Sequence, residues 1–370
     1  MKKNMFLLRV FLLFTLFFLW SECYVVDFYA RGMKKNPGPK KQKVIDSRVL
    51  QCQRLIKENK LDEALKCAII LVIDYPDNAK AYSVRGQVYY LKGEYKIALK
   101  DINQAISLAP KDSVFYTNRG MVYYRMRDHP TAIKDFSKSI KLNPKYADAY
   151  IARSSAYELQ GKHQEALSDI NKYIKFMPKS SNGYYRRARL QYGLKRHEES
   201  LSDCFMAEGL DPKNVSAIDL KGMIYMMRGQ FNKALTEFNK TVNLGPKMTG
   251  YYKNRAICYW LLGNRKAAID DLKKAIKLFP NFFRSYYHLG YFMHQEKDKD
   301  KAKSYFLRAF ELYPKVLQEW EKVFEFTNNP QVIRFFKDEL AVGKEYLIAS
   351  GKVLTTGETI LEVKMYSDES

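Results

Sequence analysis

The sequence predicts an all-α protein: a solenoid of tandem helix-turn-helix repeats closed by a C-terminal capping helix. Three observations carry that prediction. Prolines stand at 76, 110, 144, 178, 212, 246, 280 and 314, every interval being 34 residues. With each proline counted as position 32, position 8 is small throughout (Cys52, Gly86, Gly120, Ser154, Ala188, Gly222, Ala256, Gly290) and position 20 is Ala or Ser (Ala64, Ala98, Ala132, Ala166, Ser200, Ala234, Ala268, Ala302). Small residues at one level of two antiparallel helices let their axes approach, while bulkier neighbours fill the remaining volume. Finally, 46% apolar with 28% charged residues is the composition of a folded soluble chain, which excludes a disordered tail or a polytopic membrane protein.

The chain opens on Met1-Lys2-Lys3 and an uncharged run from Val10 to Trp20, which has the length of a signal-peptide core and is too short for a membrane span. Ser21 and Cys23 stand three and one before Tyr24. The expectation is therefore a signal over residues 1–23, cleaved after Cys23, and a chain in the secretory pathway or cell envelope. The alternative is an uncleaved anchor from Met5 to Val26. Because Arg31, Lys34, Lys35, Lys40, Lys41 and Lys43 follow that segment, the positive-inside rule would then hold the repeats in the cytoplasm. Residues 24–42 read as a basic linker rich in Gly, Pro and Lys.

Within the repeats of residues 43–314, Tyr82, Tyr116, Tyr150, Tyr184, Tyr252 and Tyr286 hold position 4. Gly93, Gly161, Gly229 and Gly263 mark the turn between the two helices, where a left-handed backbone suits glycine. This pattern resembles the tetratricopeptide repeat family, with eight repeats over residues 43–314. The resemblance implies a right-handed superhelical array whose first helices line a concave groove for partner proteins. Beyond Pro314 a degenerate repeat and capping helices are expected over residues 315–350. They include an amphipathic helix begun by Asn329-Pro330, because a solenoid must cover its last apolar face. For the tail, residues 351–370, two alternatives stay open: a small hairpin about Thr356-Gly357, or no structure.

Position 7 is basic in six consecutive repeats: Arg85, Arg119, Arg153, Arg187, Lys221 and Arg255. Such a row invites a phosphate-binding reading. However, position 23 is acidic in the same six repeats (Asp101, Asp135, Asp169, Asp203, Glu237, Asp271), and repeats one and eight lack both partners. In a hairpin turning near position 15, positions 7 and 23 each lie eight residues from the turn and face each other. The expectation is an ion pair within each repeat, structural in role. Residues 43–314 carry a net charge of +20, and pairing the ladder argues against nucleic acid as the partner, although an RNA-binding helical array is the alternative reading.

Five cysteines with no regular spacing argue against a dense disulfide framework or a zinc ribbon, and Cys52 and Cys204 read as small core residues. His-Glu-x-x-His, a phosphate loop and a nucleophile elbow are all missing from the sequence. No catalytic residue, cofactor or metal site is expected, and His129, His163 and His197 near the turns read as solvated. The family's inward-facing positions in the first helices implicate Asn118, Tyr124, Arg125, Tyr185, Arg186, Arg189, Lys253, Asn254, Trp260, Arg284 and His288 in partner binding. Aromatic surface among a few cations suits protein or peptide segments. The carboxylate clamp of some chaperone-binding members is matched here only by Asn254 and Arg284, while Asp219, Met223 and His288 depart from it. The expected function is a non-enzymatic scaffold, exported or membrane-associated, with membrane contact through the N-terminal segment if it is retained.

Overall fold

The computed structural model describes residues 39–314, 317, 327–350, 355–356 and 359–360. The expected leader, most of the linker and most of the degenerate repeat lie outside these residues. The chain divides into two compact units, Met1–Lys111 and Asp112–Ser370.

The first unit holds two helical hairpins: α1 (Pro39–Lys57) with α2 (Leu61–Asp74), then α3 (Ala79–Leu91) with α4 (Tyr95–Leu108). Helix α1 begins at Pro39, inside the expected linker, because proline is preorganised for the first helical turn and the lysines after it are good helix formers. Cys52 of α1 and Cys67 of α2 form a disulfide. This corrects the reading of Cys52 as a plain core hydrophobe. The two cysteines occupy positions 8 and 23, which face each other across the hairpin, in a repeat that lacks the ladder pair.

The second unit holds six hairpins: α5 (Ser113–Arg125) with α6 (His129–Leu142), α7 (Ala147–Leu159) with α8 (His163–Phe176), and α9 (Ser181–Gly193) with α10 (His197–Leu210). They continue as α11 (Val215–Met227) with α12 (Phe231–Leu244), α13 (Thr249–Leu261) with α14 (Arg265–Leu278), and α15 (Phe283–Gln295) with α16 (Lys299–Leu312). Helix α17 (Pro330–Ala349) follows, capped by the Asn329 side chain accepting from the Val332 amide at 3.1 Å. Successive first helices touch directly, α9 with α11, α11 with α13 and α13 with α15, and so form one continuous inner face. In the tail, Thr355–Thr356 pairs antiparallel with Thr359–Ile360, the hairpin alternative of the sequence reading.

The packing explains the small-residue signature. The residues at position 20 are fully buried from Ala64 to Ala302, with Ser200 in the same place. At position 8, glycine stands wherever position 24 across the hairpin is most intrusive: a Cβ on Gly120 would lie 2.6 Å from the Phe136 ring, one on Gly222 2.6 Å from Phe238, and one on Gly290 2.9 Å from Phe306. Where position 24 is Cys204 or Leu272, position 8 carries Ala188 or Ala256. Volume is conserved across each hairpin.

All eight turns have position 15 in the left-handed region. Gly93, Gly161, Gly229 and Gly263 have φ between 71° and 83°, and Asn59, Arg127, Lys195 and Lys297 adopt φ of 58° to 65°. The turn geometry therefore belongs to the repeat, and glycine only eases it.

Candidate functional site

The ladder pairs form inside each repeat, as the spacing required. Arg85, Arg119, Arg153, Arg187 and Arg255 each donate Nε and Nη2 to both carboxylate oxygens of Asp101, Asp135, Asp169, Asp203 and Asp271 at 2.7–2.8 Å. These bidentate, charge-assisted contacts are the strong form of the interaction. The Asp135 side chain is 8% exposed and that of Arg119 25%. Each of these guanidinium groups also lies over the tyrosine at position 4 of its own helix, 5.5–6.0 Å from the ring centre. Contacts also reach the preceding repeat: Arg153 Nη1 donates to Ser137 Oγ at 2.9 Å, Arg187 Nη1 to Asn171 Oδ1 at 2.8 Å and Arg255 Nη1 to Asn239 Oδ1 at 3.0 Å. The ladder thus ties hairpins internally and, through these bonds, to their neighbours.

Lys221 in repeat six varies the theme. It is buried and contacts both Glu237, at 3.2 Å, and Glu208 of the preceding repeat, while Lys240 bridges the same two carboxylates at 3.1 and 3.2 Å. Burial works against the Glu208 carboxylate, but hydrogen bonds and charge from the two lysines hold its pKa below the usual value.

With the ladder set aside, the inner face shows what remains for a partner. On α9, Arg186 Nη1 donates to Ser155 Oγ of α7 at 2.6 Å, and Arg189 Nη2 pairs with Glu158 Oε2 of α7 at 2.6 Å. Tyr185 and Arg186 are half-buried, and Arg189 is exposed. Asn118 and Tyr124 are half-buried on α5, with the Tyr124 ring 5.4 Å from His129, and Arg125 is exposed. His197 meets Tyr192 at the same 5.4 Å, so these two turn histidines pack on tyrosines, whereas His163 is exposed as expected. On α11 and α13, Asp219 accepts two hydrogen bonds from Asn254 Nδ2 at 2.9 and 3.1 Å. Burial raises the Asp219 carboxyl against the pull of Asn254 and of the Lys253 charge.

Three of the sequence-derived candidates offer little surface. Asn254 is 5% exposed, Trp260 5% and His288 2%. Trp260 stacks on Phe292 with ring centres 3.8 Å apart, and the Arg265 guanidinium lies over the Trp260 ring, 3.7 Å from its centre. His288 is closed off by α17. Half-buried Lys253 remains on the inner face, and Arg284, also half-buried, lies against Phe283 at 5.0 Å. Two features escaped the sequence reading: the Cys52–Cys67 disulfide and the docking of α17 onto the inner face. The first was signalled by two cysteines at facing positions of one repeat. For the second, the sequence signalled an amphipathic capping helix begun by Asn329-Pro330 but not its place on the inner face.

Among the described residues no group of three or more metal-ligating side chains is present, and no helix is long and apolar enough to cross a membrane. Cys204 and Cys258 are buried thiols, both pushed up to about 12 by burial, far from a nucleophile's requirement.

Tandem antiparallel hairpins sharing one 34-residue register define a helical-repeat protein of the kind that presents a binding surface. Tetratricopeptide repeat models match residues 79–112, 113–146 and 251–282, and a second model of the same repeat matches 147–179 and 283–316. The chain belongs to the tetratricopeptide repeat family. Comparison with curated proteins gave no match. Among solved structures, a tetratricopeptide repeat protein from Parabacteroides merdae ATCC 43184 is similar at 19% identity and a TM-score of 0.54, over 72% of this chain and 98% of that one. The APC/C hetero-tetramer Cut9-Hcn1 is similar at 16% identity and a TM-score of 0.57, over 76% of this chain, which spans only 52% of the matched one. PilW, a type IV pilus biogenesis factor, is similar at 20% identity and a TM-score of 0.51, over 55% of this chain and 94% of that one. At these identities the likeness is one of fold.

Proposed function

We propose that the chain is a non-enzymatic scaffold that holds extended segments of partner proteins on the inner face of repeats three to five, within an exported or membrane-associated assembly. One observation carries the reading. Once the ladder is paired, the polar groups presented on that face include a short run of unlike chemistry: Tyr185, Arg186 and Arg189 on α9, Glu158 on α7, and Asn118, Tyr124 and Arg125 on α5. Tyrosine and arginine dominate interface energies, and an exposed pair such as Arg189–Glu158 is cheap to open in favour of a partner carboxylate or amide. The disulfide of repeat one supports an oxidising compartment, in keeping with a cleaved signal, and the expected product is a mature chain starting at Tyr24.

Replacing Arg186 and Arg189 together with Ala should weaken partner binding by about 1–3 kcal/mol with melting unchanged. A pull-down from native membranes, quantified by mass spectrometry for both proteins, reads this out. Equal recovery of every partner by the variant would move the site elsewhere. RNA binding, the reading favoured by the net charge alone, predicts instead a steep loss of affinity for random RNA as salt rises.

A further inference from the structure

The inner face of repeats six to eight is already filled. Met226, Trp260, Tyr287, His288 and Tyr291 occupy inward-facing positions of α11, α13 and α15, and all are buried. What covers the end of this face is α17. Phe335 meets Tyr291 edge-on at 5.5 Å. Four residues on, Glu339 Oε1 lies 2.7 Å from His288 Nδ1, and its carbonyl accepts from Tyr287 Oη at 3.2 Å. Four further, Gly343 lies against the Tyr287 hydroxyl, where a Cβ has no room. Tyr346 stacks on Phe306 at 5.0 Å and meets His294 edge-on at 5.7 Å. Two side chains near the start of the helix fix its register on backbone carbonyls, Thr327 Oγ1 donating to Met227 O at 2.6 Å and Gln331 Nε2 to Leu261 O at 3.0 Å.

We propose that this face is a binding site for an amphipathic helix that carries a carboxylate, and that α17 is its resident, exchangeable occupant. The site reads a pattern: an aromatic ring for Tyr291, a carboxylate one turn later for His288, and a glycine one turn after that for Tyr287. A helix serving only as cover for the last repeat would need no buried carboxylate. Such a group is expensive to desolvate and holds less tightly than an apolar residue of similar size, while it fixes register. Because site and occupant share one chain, the helix competes at high effective concentration, and a partner helix of the same pattern must displace it. The proposal concerns a different part of the inner face from repeats three to five and does not depend on the reading given for them.

The test uses the full chain and one probe, a fluorescent peptide of residues 327–350. Gly343→Leu places a branched side chain where the Tyr287 hydroxyl lies, and so expels α17 while altering nothing in the repeats. The variant should bind the probe at least tenfold more tightly than the unmodified chain, and a probe carrying Glu339→Gln should lose at least tenfold on the variant. Adding Arg186→Ala and Arg189→Ala to the variant should leave probe affinity unchanged, which separates this site from the partner-binding face. Equal affinity of both chains for the probe, or indifference to Glu339→Gln, would overturn the proposal. If Gly343→Leu does not fold, hydrogen exchange of the unmodified chain decides. Amides of α17 exchanging at least tenfold faster than those of α13 and α15 support separate release, and exchange at the same rate makes α17 part of the array's core.

Discussion

A single methyl group marks the difference between repeats. Gly120 faces Phe136 across its hairpin with no space for a Cβ, which would lie 2.6 Å from the ring. Gly120→Ala should therefore destabilise the protein by about 1–3 kcal/mol through overpacking. Because the fault is one of volume, Phe136→Leu in the same chain should recover part of the loss, which denaturant midpoints of the two variants will show. The same substitution at position 8 is already present as Ala256, opposite Leu272. The small-residue signature was legible from the sequence because it recurs eight times. Its pairing with position 24 was not, since it appears only when the two helices are set side by side. Burial of His288 was illegible for a related reason: its cover, Glu339, lies 51 residues away in a helix outside the repeat.

At the scale of the element, the hairpin turn is fixed by geometry. Lys195 carries φ 61°, a left-handed conformation in which Gly229 and Gly263 stand at equivalent turns. Relief of that strain outweighs the added freedom of the unfolded chain, so Lys195→Gly should raise stability by about 1 kcal/mol, seen as a higher melting temperature. The first hairpin has its own device. It lacks the ladder pair and carries a disulfide with a sequence separation of 15 instead, a loop for which closure contributes about 3 kcal/mol. Replacing Cys52 and Cys67 with Ser, or adding a reductant, should loosen α1 and α2 before the second unit, and limited proteolysis should then cut first within residues 39–74. A protease pattern unchanged by reductant would show that the cross-link adds nothing. The sequence displayed both cysteines at facing positions, but a pair occurring once has no internal repetition to mark it, unlike the ladder.

Over the whole molecule the central question is what the positive charge is for. Residues 43–314 carry a net charge of +20, and a row of six cations at one repeat position has the look of a surface for phosphates. The structure turns those cations inward onto their own hairpins. Facing distance from the turn was enough to foresee the partners, because both members lie at equal separation from position 15 in every repeat that has them. The sequence did not disclose the tyrosine beneath each of the five ladder guanidiniums, or the bonds from Arg153, Arg187 and Arg255 to the preceding repeat. Together these contacts make the ladder a stabilising spine, in an architecture whose stability is a sum of repeat and interface contributions. The measurement that tests this most directly is a double-mutant cycle on the second unit's first pair, by chemical denaturation of the unmodified chain, Arg119→Ala, Asp135→Ala and the double variant. Each single change leaves a largely buried charge without its partner and should be costly. The double variant should lose less than the sum by about 0.5–3 kcal/mol, with partner recovery unaltered among folded proteins. Strictly additive losses, or an Arg119→Ala protein of full stability that no longer retains its partners, would show that the ladder faces a ligand.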